Sequence, residues 1–100
     1  MEITINSVHF TADKKLVDFV NKKVNKLDTF FDGIINAEVT LKVLRPEAAK
    51  NKVSEIKVSI PGNDYLFAKK EADTFEEATD LAIDALRRQL VKFKDKLKSK

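Results

Sequence analysis

The feature that most constrains the fold of this chain is an apolar stripe through its last quarter. Its residues recur at steps of three and four, the spacing of one side of an α-helix: Phe75, Ala78, Ala82, Leu86, Leu90, Phe93 and Leu97. The pattern predicts a helix over 74–97, about 36 Å long, with Asp73 or Thr74 as its N-cap and Glu76 and Glu77 in its first turn. Because a stripe of this length must be buried, the rest of the chain has to supply an apolar surface that covers it.

Four shorter segments alternate apolar and polar residues, which is typical of strands with one buried face. They are residues 2–8, 37–44, 53–60 and 65–71. The turn residues from Pro61 to Asp64 predict a hairpin between the last two segments.

A second helix is predicted between the first two strands, over residues 12–31. Its apolar side consists of Leu16, Val20, Val24, Leu27 and Phe31. Thr11 is the predicted N-cap, because its hydroxyl can accept a hydrogen bond from a free backbone amide. Gly33 is the predicted stop.

The element order is therefore β-α-β-β-β-α, which predicts an α+β fold. Each strand has one apolar face and each helix one apolar stripe, so the simplest burial places both helices on one face of a four-stranded sheet, as a two-layer sandwich. If the first two strands are neighbours, they pair in parallel through a right-handed crossover. We expect residues 1–100 to form a single domain, because the chain has no internal repeat, low-complexity tract or linker.

Residue content argues against an enzyme. The chain has no cysteine, which excludes a disulfide scaffold, a thiolate metal site and a cysteine nucleophile, and His9 is its only histidine. The glycines are isolated, so there is no glycine-rich phosphate loop. Asp80 and Asp84 resemble a carboxylate pair, but ion pairing of Asp84 with Arg88 one turn later explains them better. We expect no cofactor, no metal and no small-molecule substrate.

The first residues lack the basic start and apolar run of a signal peptide. No stretch approaches the ~18 apolar residues of a membrane span. We therefore expect a cytoplasmic protein without a membrane partner.

Charge is distributed unevenly along the predicted helices. Residues 71–84 contain six acidic residues and no basic one, whereas residues 85–100 contain seven basic residues and one acidic one. At 100° per residue, the basic residues of the last helix fall on two flanks of its apolar stripe: Arg88, Lys92 and Lys96 on one, and Arg87, Lys94 and Lys98 on the other. In the first helix Lys15, Lys22 and Lys26 share a flank, and Lys23 lies near the core edge.

Two interpretations of this pattern remain open. A solvated helix with cations near its C-terminus is stabilised by the helix dipole and needs no ligand. Matching basic flanks on two adjacent helices instead predict one broad positive surface, which binds the phosphates of structured RNA in a salt-dependent way.

The last helix also carries a resemblance. Residues 78–98, ATDLAIDALRRQLVKFKDKLK, together with Lys23, Lys26-Leu27 and Phe31-Asp32, resemble the ribosome hibernation-promoting factors, also called ribosome-associated inhibitors or sigma modulation proteins. The likeness spans nearly the whole chain, and the order β-α-β-β-β-α is also the fold of that family, similar to double-stranded-RNA-binding domains.

The resemblance implies a function without turnover. It implies binding to the small ribosomal subunit and its ribosomal RNA, in the channel for messenger and transfer RNA, and inhibition of translation in idle ribosomes, as under stress or in stationary phase. By position, the contacts would fall to Lys22, Lys23, Lys26, Arg87, Arg88, Lys92, Lys94 and Lys96.

Long members of that family carry a second, dimer-forming domain. We expect residues 1–100 to be a short form, a single ribosome-binding domain without it. Whether such a form pairs ribosomes or silences single ones stays open. The alternative function is a protein-interaction module that regulates a transcription factor.

Overall fold

The four strands and two helices of the prediction all form. The computed structural model describes residues 1–45, 47, 49–62 and 64–98, without the side chains of residues 97 and 98. The elements are β1 (Glu2–Val8), α1 (Lys14–Asn25), a 3₁₀ helix (Lys26–Thr29), β2 (Asn36–Val43), β3 (Lys52–Ile60), β4 (Asp64–Ala72) and α2 (Phe75–Lys98).

The strands form one sheet in the order β1-β2-β3-β4. The predicted parallel pairing of β1 with β2 is confirmed, with Ile5 opposite Val39. β3 runs antiparallel to both β2 and β4, and Ile56 lies opposite Val39 and Ala68. The predicted hairpin thus joins β3 to β4, although Asn63 of its turn lies outside the described residues.

One core lies between the inner face of the sheet and the apolar stripes of both helices, as the two-layer prediction requires. α1 contributes Leu16, Val20 and Val24, all buried. α2 contributes Phe75, Ala82, Leu86 and Leu90. Leu97 was predicted to point inward as well, but its side chain is not among those that the structure describes. The strand residues of this core include Ala37, Val39, Leu41, Ile56, Val58 and Ile60.

A single polar pair lies inside this apolar layer among the buried residues of β3 and α2. Thr79 of α2 donates its hydroxyl hydrogen to the Ser54 hydroxyl of β3 over 3.2 Å, and both residues are fully buried. Because a buried hydroxyl is costly without a partner, this hydrogen bond fixes α2 against β3 in one register.

The start of α1 differs from the prediction. Asp13, not Thr11, is the N-cap: its Oδ1 accepts a hydrogen bond from the backbone N–H of Leu16 over 2.8 Å. Its backbone is extended, with φ −78° and ψ 169°, as an N-cap requires. Aspartate at this position also places a negative charge at the positive end of the helix dipole.

The end of α1 also differs. The α-helix stops at Asn25, well before the predicted stop at Gly33, and continues as the 3₁₀ helix. There the Thr29 hydroxyl donates to the Lys26 carbonyl over 2.7 Å, a side-chain bond that competes with regular helix. The tighter turn keeps Leu27 fully buried while the chain leaves the helix axis.

The start of α2 agrees with the prediction. The Thr74 hydroxyl accepts a hydrogen bond from the Glu77 backbone N–H over 3.1 Å. Asp73 has a different role, because its Oδ1 accepts from the backbone N–H of Lys50. The ring of Phe75 stacks on Phe10 at 4.6 Å, which holds the segment after β1 against the first turn of α2.

We expect Asp13→Ala to lower the free energy of unfolding by about 1 kcal/mol, because it leaves the Leu16 amide without its acceptor. Thr11→Ala is the matched control, since Thr11 is exposed and caps nothing in the structure. Urea unfolding followed by circular dichroism measures both. Equal losses in the two variants would contradict the assignment of the cap to Asp13.

Candidate nucleic-acid interface

The eight basic residues predicted to contact RNA lie on the layer of helices. Lys22 and Lys23 belong to α1, Lys26 begins the 3₁₀ helix, and Arg87, Arg88, Lys92, Lys94 and Lys96 belong to α2. All are exposed except Lys23 and Arg87, which are half-buried. We call the solvent side of α1, the 3₁₀ helix and α2 the helical face.

Lys23 is half-buried because it bridges the two helices. Its Nζ lies 3.4 Å from Oδ1 of Asp80 on α2. The same ammonium lies 5.4 Å from the centre of the Phe19 ring. Phe19 is half-buried and packs against the core. The Lys23–Asp80 pair therefore marks the line along which α1 and α2 meet, which we call the seam.

Arg87 reaches the same seam from α2. Its guanidinium lies 6.0 Å from the centre of the Phe30 ring, just beyond the 3₁₀ helix. The next ring, Phe31, meets Phe93 of α2 edge-on at 5.3 Å. Lys94, two turns after Arg87, lines a shallow hollow with residues 29–33. These contacts place Arg87 and Lys94 on the flank of α2 that faces α1.

Asp84 holds both arginines of α2. Arg87 Nη2 donates to its Oδ1 over 2.9 Å, and Arg88 Nη2 donates to its Oδ2. The hydrogen bond from Arg87, followed by that from Arg88, keeps the pKa of the Asp84 carboxyl below its ordinary value. The predicted pairing of Asp84 with Arg88 is confirmed, and it extends to Arg87.

The second basic flank of α2 faces away from α1. Gln89 Nε2 donates to the Phe67 carbonyl of β4 over 3.0 Å, so the Gln89 side of α2 lies towards the β4 edge. Lys92 and Lys96 follow Gln89 by three and seven residues and share its side. The expectation of one merged surface is therefore only partly right: Lys23, Arg87 and Lys94 lie at the seam, whereas Lys92 and Lys96 lie on the side of α2 towards β4.

The predicted residues also differ in their partners. Lys23, Arg87 and Arg88 are each paired with an aspartate. Within the described part of the chain, Lys22, Lys26, Lys92 and Lys94 form no ion pair. Exposed ammonium groups of this second kind are the ones that a phosphate can neutralise without displacing a carboxylate.

The opposite face of the sheet has a mixed character. Lys42 Nζ pairs with Oε2 of Glu55 at 2.7 Å across β2 and β3. Phe67 is exposed, and so is Tyr65, whose ring lies 4.7 Å from Lys57 Nζ. Lys57 and Lys69 are also exposed on this face, and each lies opposite a glutamate of the neighbouring strand, Glu38 and Glu55. The opposite face therefore alternates basic and acidic side chains.

Little else in the described chain suggests chemistry. His9 is exposed and follows β1, with a φ of 69° in the left-handed region. Among residues 1–45, 47, 49–62 and 64–98, no three His, Cys, Asp or Glu side chains come together as metal ligands. In the same part of the chain, neither helix is long and apolar enough to cross a membrane.

Sequence reasoning missed the groups that connect the helices. Asp80 pairs with Lys23 across the seam, whereas local pairing within α2 was expected. Phe30 and Gln89 received no role, although each contacts a neighbouring element on one flank of α2 and so identifies which flank faces α1 and which faces β4. The only signal for Asp80 was its position one turn before Asp84 on the same side of the helix.

Comparison with known proteins adds a family to this geometry. The profile described as "Sigma 54 modulation protein / S30EA ribosomal protein" matches residues 3–98. The ribosome hibernation promoting factor of Pseudomonas putida KT2440 is 34% identical over 99 residues, covering 99% of this chain and 92% of that protein. The factor of the same name from Escherichia coli K12 is 37% identical, covering 98% and 96%. The Thermus thermophilus Protein Y N-terminal domain superposes with a TM-score of 0.79 and 29% identity, over 93% of this chain and 99% of that one.

We expect Arg87→Gln and Arg88→Gln each to raise the pKa of Asp84 towards its ordinary value, because each variant removes a hydrogen bond and a positive charge that lower this pKa. Carboxyl-carbon NMR titration of the wild type and both variants measures this. In the wild type, whatever stability Asp84 adds is present above its unfolded pKa and is lost as the pH falls through its folded pKa. An unchanged Asp84 titration in Arg87→Gln would show that this pair does not form in solution.

Proposed function

The chain belongs to the sigma 54 modulation protein / S30EA ribosomal protein family of non-enzymatic ribosome-binding proteins, which includes the ribosome hibernation promoting factors, and on that premise we propose that it binds ribosomal RNA of the small subunit through its helical face. It occupies the channel for messenger and transfer RNA and so inhibits translation in idle cytoplasmic ribosomes, under stress or in stationary phase.

The observation that carries this proposal is the charge on the helical face. Lys22, Lys26, Lys92 and Lys94 are exposed there without an ion pair in the described chain. Each can neutralise a phosphate and release a counterion, which gives sequence-independent, salt-dependent binding. The Lys23–Asp80 pair and the Arg87–Phe30 contact support a fixed spacing between the two helices, and hence between these charges.

Shape supports steric occlusion as the mechanism. The helical face is backed by a sheet and a single core, so it presents a preformed surface rather than one that orders on binding. Occupying a channel needs no reacting group, only affinity and volume. We propose that residues 1–100 are sufficient for this binding as one unit, and that the same contacts serve whether the ribosomes are single or paired.

We expect the protein to co-sediment with purified small subunits at low salt and to be released at high salt. Arg88→Glu with Lys92→Glu should weaken this association by at least tenfold, because each reversed side chain repels a phosphate that it would otherwise attract. Both residues are exposed, so circular dichroism should show an intact fold. Sucrose-gradient sedimentation across a salt series measures the association.

The matched control reverses two exposed lysines on the opposite face of the sheet, Lys57→Glu with Lys69→Glu. It makes the same change in net charge, so it should sediment like the wild type. Equal losses in both double variants would mean that net charge alone drives the association, which contradicts the proposed face. A partner that survives nuclease treatment of an extract would instead favour the protein-interaction alternative.

A further inference from the structure

Two carboxylates of the helical face form ion pairs with basic side chains of α1 and α2. Asp80 lies 3.4 Å from Lys23, and Asp84 accepts hydrogen bonds from both Arg87 and Arg88. Half of the Asp80 side chain is exposed, and 42% of the Asp84 side chain. A surface built only to attract polyanions would gain from the absence of both, because each carboxylate repels phosphate and lowers the local positive potential.

The loss of attraction for phosphate follows from the net charge of the paired groups. Arg87, Arg88 and Asp84 together carry a net charge of +1 rather than +2, and Lys23 with Asp80 carries none. The charge of Lys23 is therefore fully compensated, and that of the two arginines is compensated by half. Affinity for RNA in general is lower than the number of basic residues suggests.

The Asp84 carboxylate also fixes the positions of Arg87 and Arg88. Two adjacent arginines on an exposed helix turn would otherwise sample many rotamers, and ordering them on binding costs entropy. Asp84 accepts one hydrogen bond from an N–H of each guanidinium. Each guanidinium has five N–H donors, so each keeps donors for a phosphate. Phe30 further restricts Arg87 from the other side of the seam.

We propose that Asp84 is a specificity-determining positioning residue of the helical face. It holds Arg87 and Arg88 at a fixed spacing that suits phosphates arranged by folded ribosomal RNA, and its negative charge weakens binding to RNA that lacks this arrangement. The inference rests on the proposed function, because it concerns how the same surface selects its RNA.

A purely structural role for Asp84 makes a different prediction. An aspartate followed by arginine three and four residues later stabilises a helix modestly. If that were its whole purpose, removing its charge would alter stability and would shift all RNA affinities together through the net charge. The discriminating quantity is therefore the ratio of two affinities and not either affinity alone.

The experiment measures the dissociation constants of wild type, Asp84→Asn and Asp84→Glu for purified small ribosomal subunits and for a random-sequence RNA duplex, at one low salt concentration. In Asp84→Asn we expect tighter duplex binding and weaker subunit binding, so that the subunit preference falls by roughly fivefold. Asp84→Glu retains the charge and should recover most of the preference.

Glu38→Gln is the matched control, since Glu38 is exposed on β2 and its loss changes net charge by the same amount on the opposite face of the sheet. It should leave the preference unchanged. An Asp84→Asn protein with the wild-type preference would overturn the inference and leave the proposed function standing. A wild-type protein that binds the duplex but no small subunits would refute the proposed function, and the inference with it.

Discussion

Burial of the apolar stripe of α2 against the inner face of the sheet is the constraint on which the rest of this structure depends. Leu86 and Leu90 are fully buried, and so are Ile56 and Val58 of β3 in the same core. Once the stripe faces the sheet, the rotation of a straight helix is determined along its whole length. The direction of every basic residue on α2 is therefore a consequence of apolar packing, although none of these residues takes part in it.

The seam between α1 and α2 adds the second constraint. Lys23 with Asp80, and Arg87 with Phe30, connect the helices through groups that are partly exposed and individually weak. Gln89 connects the other side of α2 to the open edge of β4, where it satisfies a carbonyl that the sheet leaves unpaired. Polar contacts on both sides of α2 thus hold the helix in the place that the core has selected.

The helical face carries two kinds of basic side chain, exposed lysines without an ion pair in the described chain and arginines held by a carboxylate. Exposed lysines without an ion pair in the described chain supply long-range attraction for phosphate, and the arginines held by Asp84 supply directional donors. A chain of the sigma 54 modulation protein / S30EA ribosomal protein family that binds RNA by these means would associate rapidly at low salt, whereas its selectivity would depend on the compensated arginines. In the proposed mechanism, Asp84 separates these two properties because it compensates the arginines and leaves those exposed lysines unaffected.

Local periodicity was sufficient to predict the order of elements, the presence of one buried face on each strand and the stripe of α2, because each depends on residues close together in the chain. The predicted limits of α1 were wrong because neighbouring polar side chains compete for the free backbone groups at a helix end. Asp13, and not Thr11, accepts the hydrogen bond from the Leu16 amide, and the Thr29 hydroxyl donates to the Lys26 carbonyl. The eight candidate contacts are positions on helices, so the primary structure alone places them on flanks. Which flank of α2 faces α1 depends on how the helices pack on the sheet, and there Phe30, Asp80 and Gln89 meet partners that are distant in the chain. Only the packed sheet and helices bring those partners within reach, since the apolar periodicity of one element carries no information about which residues of another element it contacts.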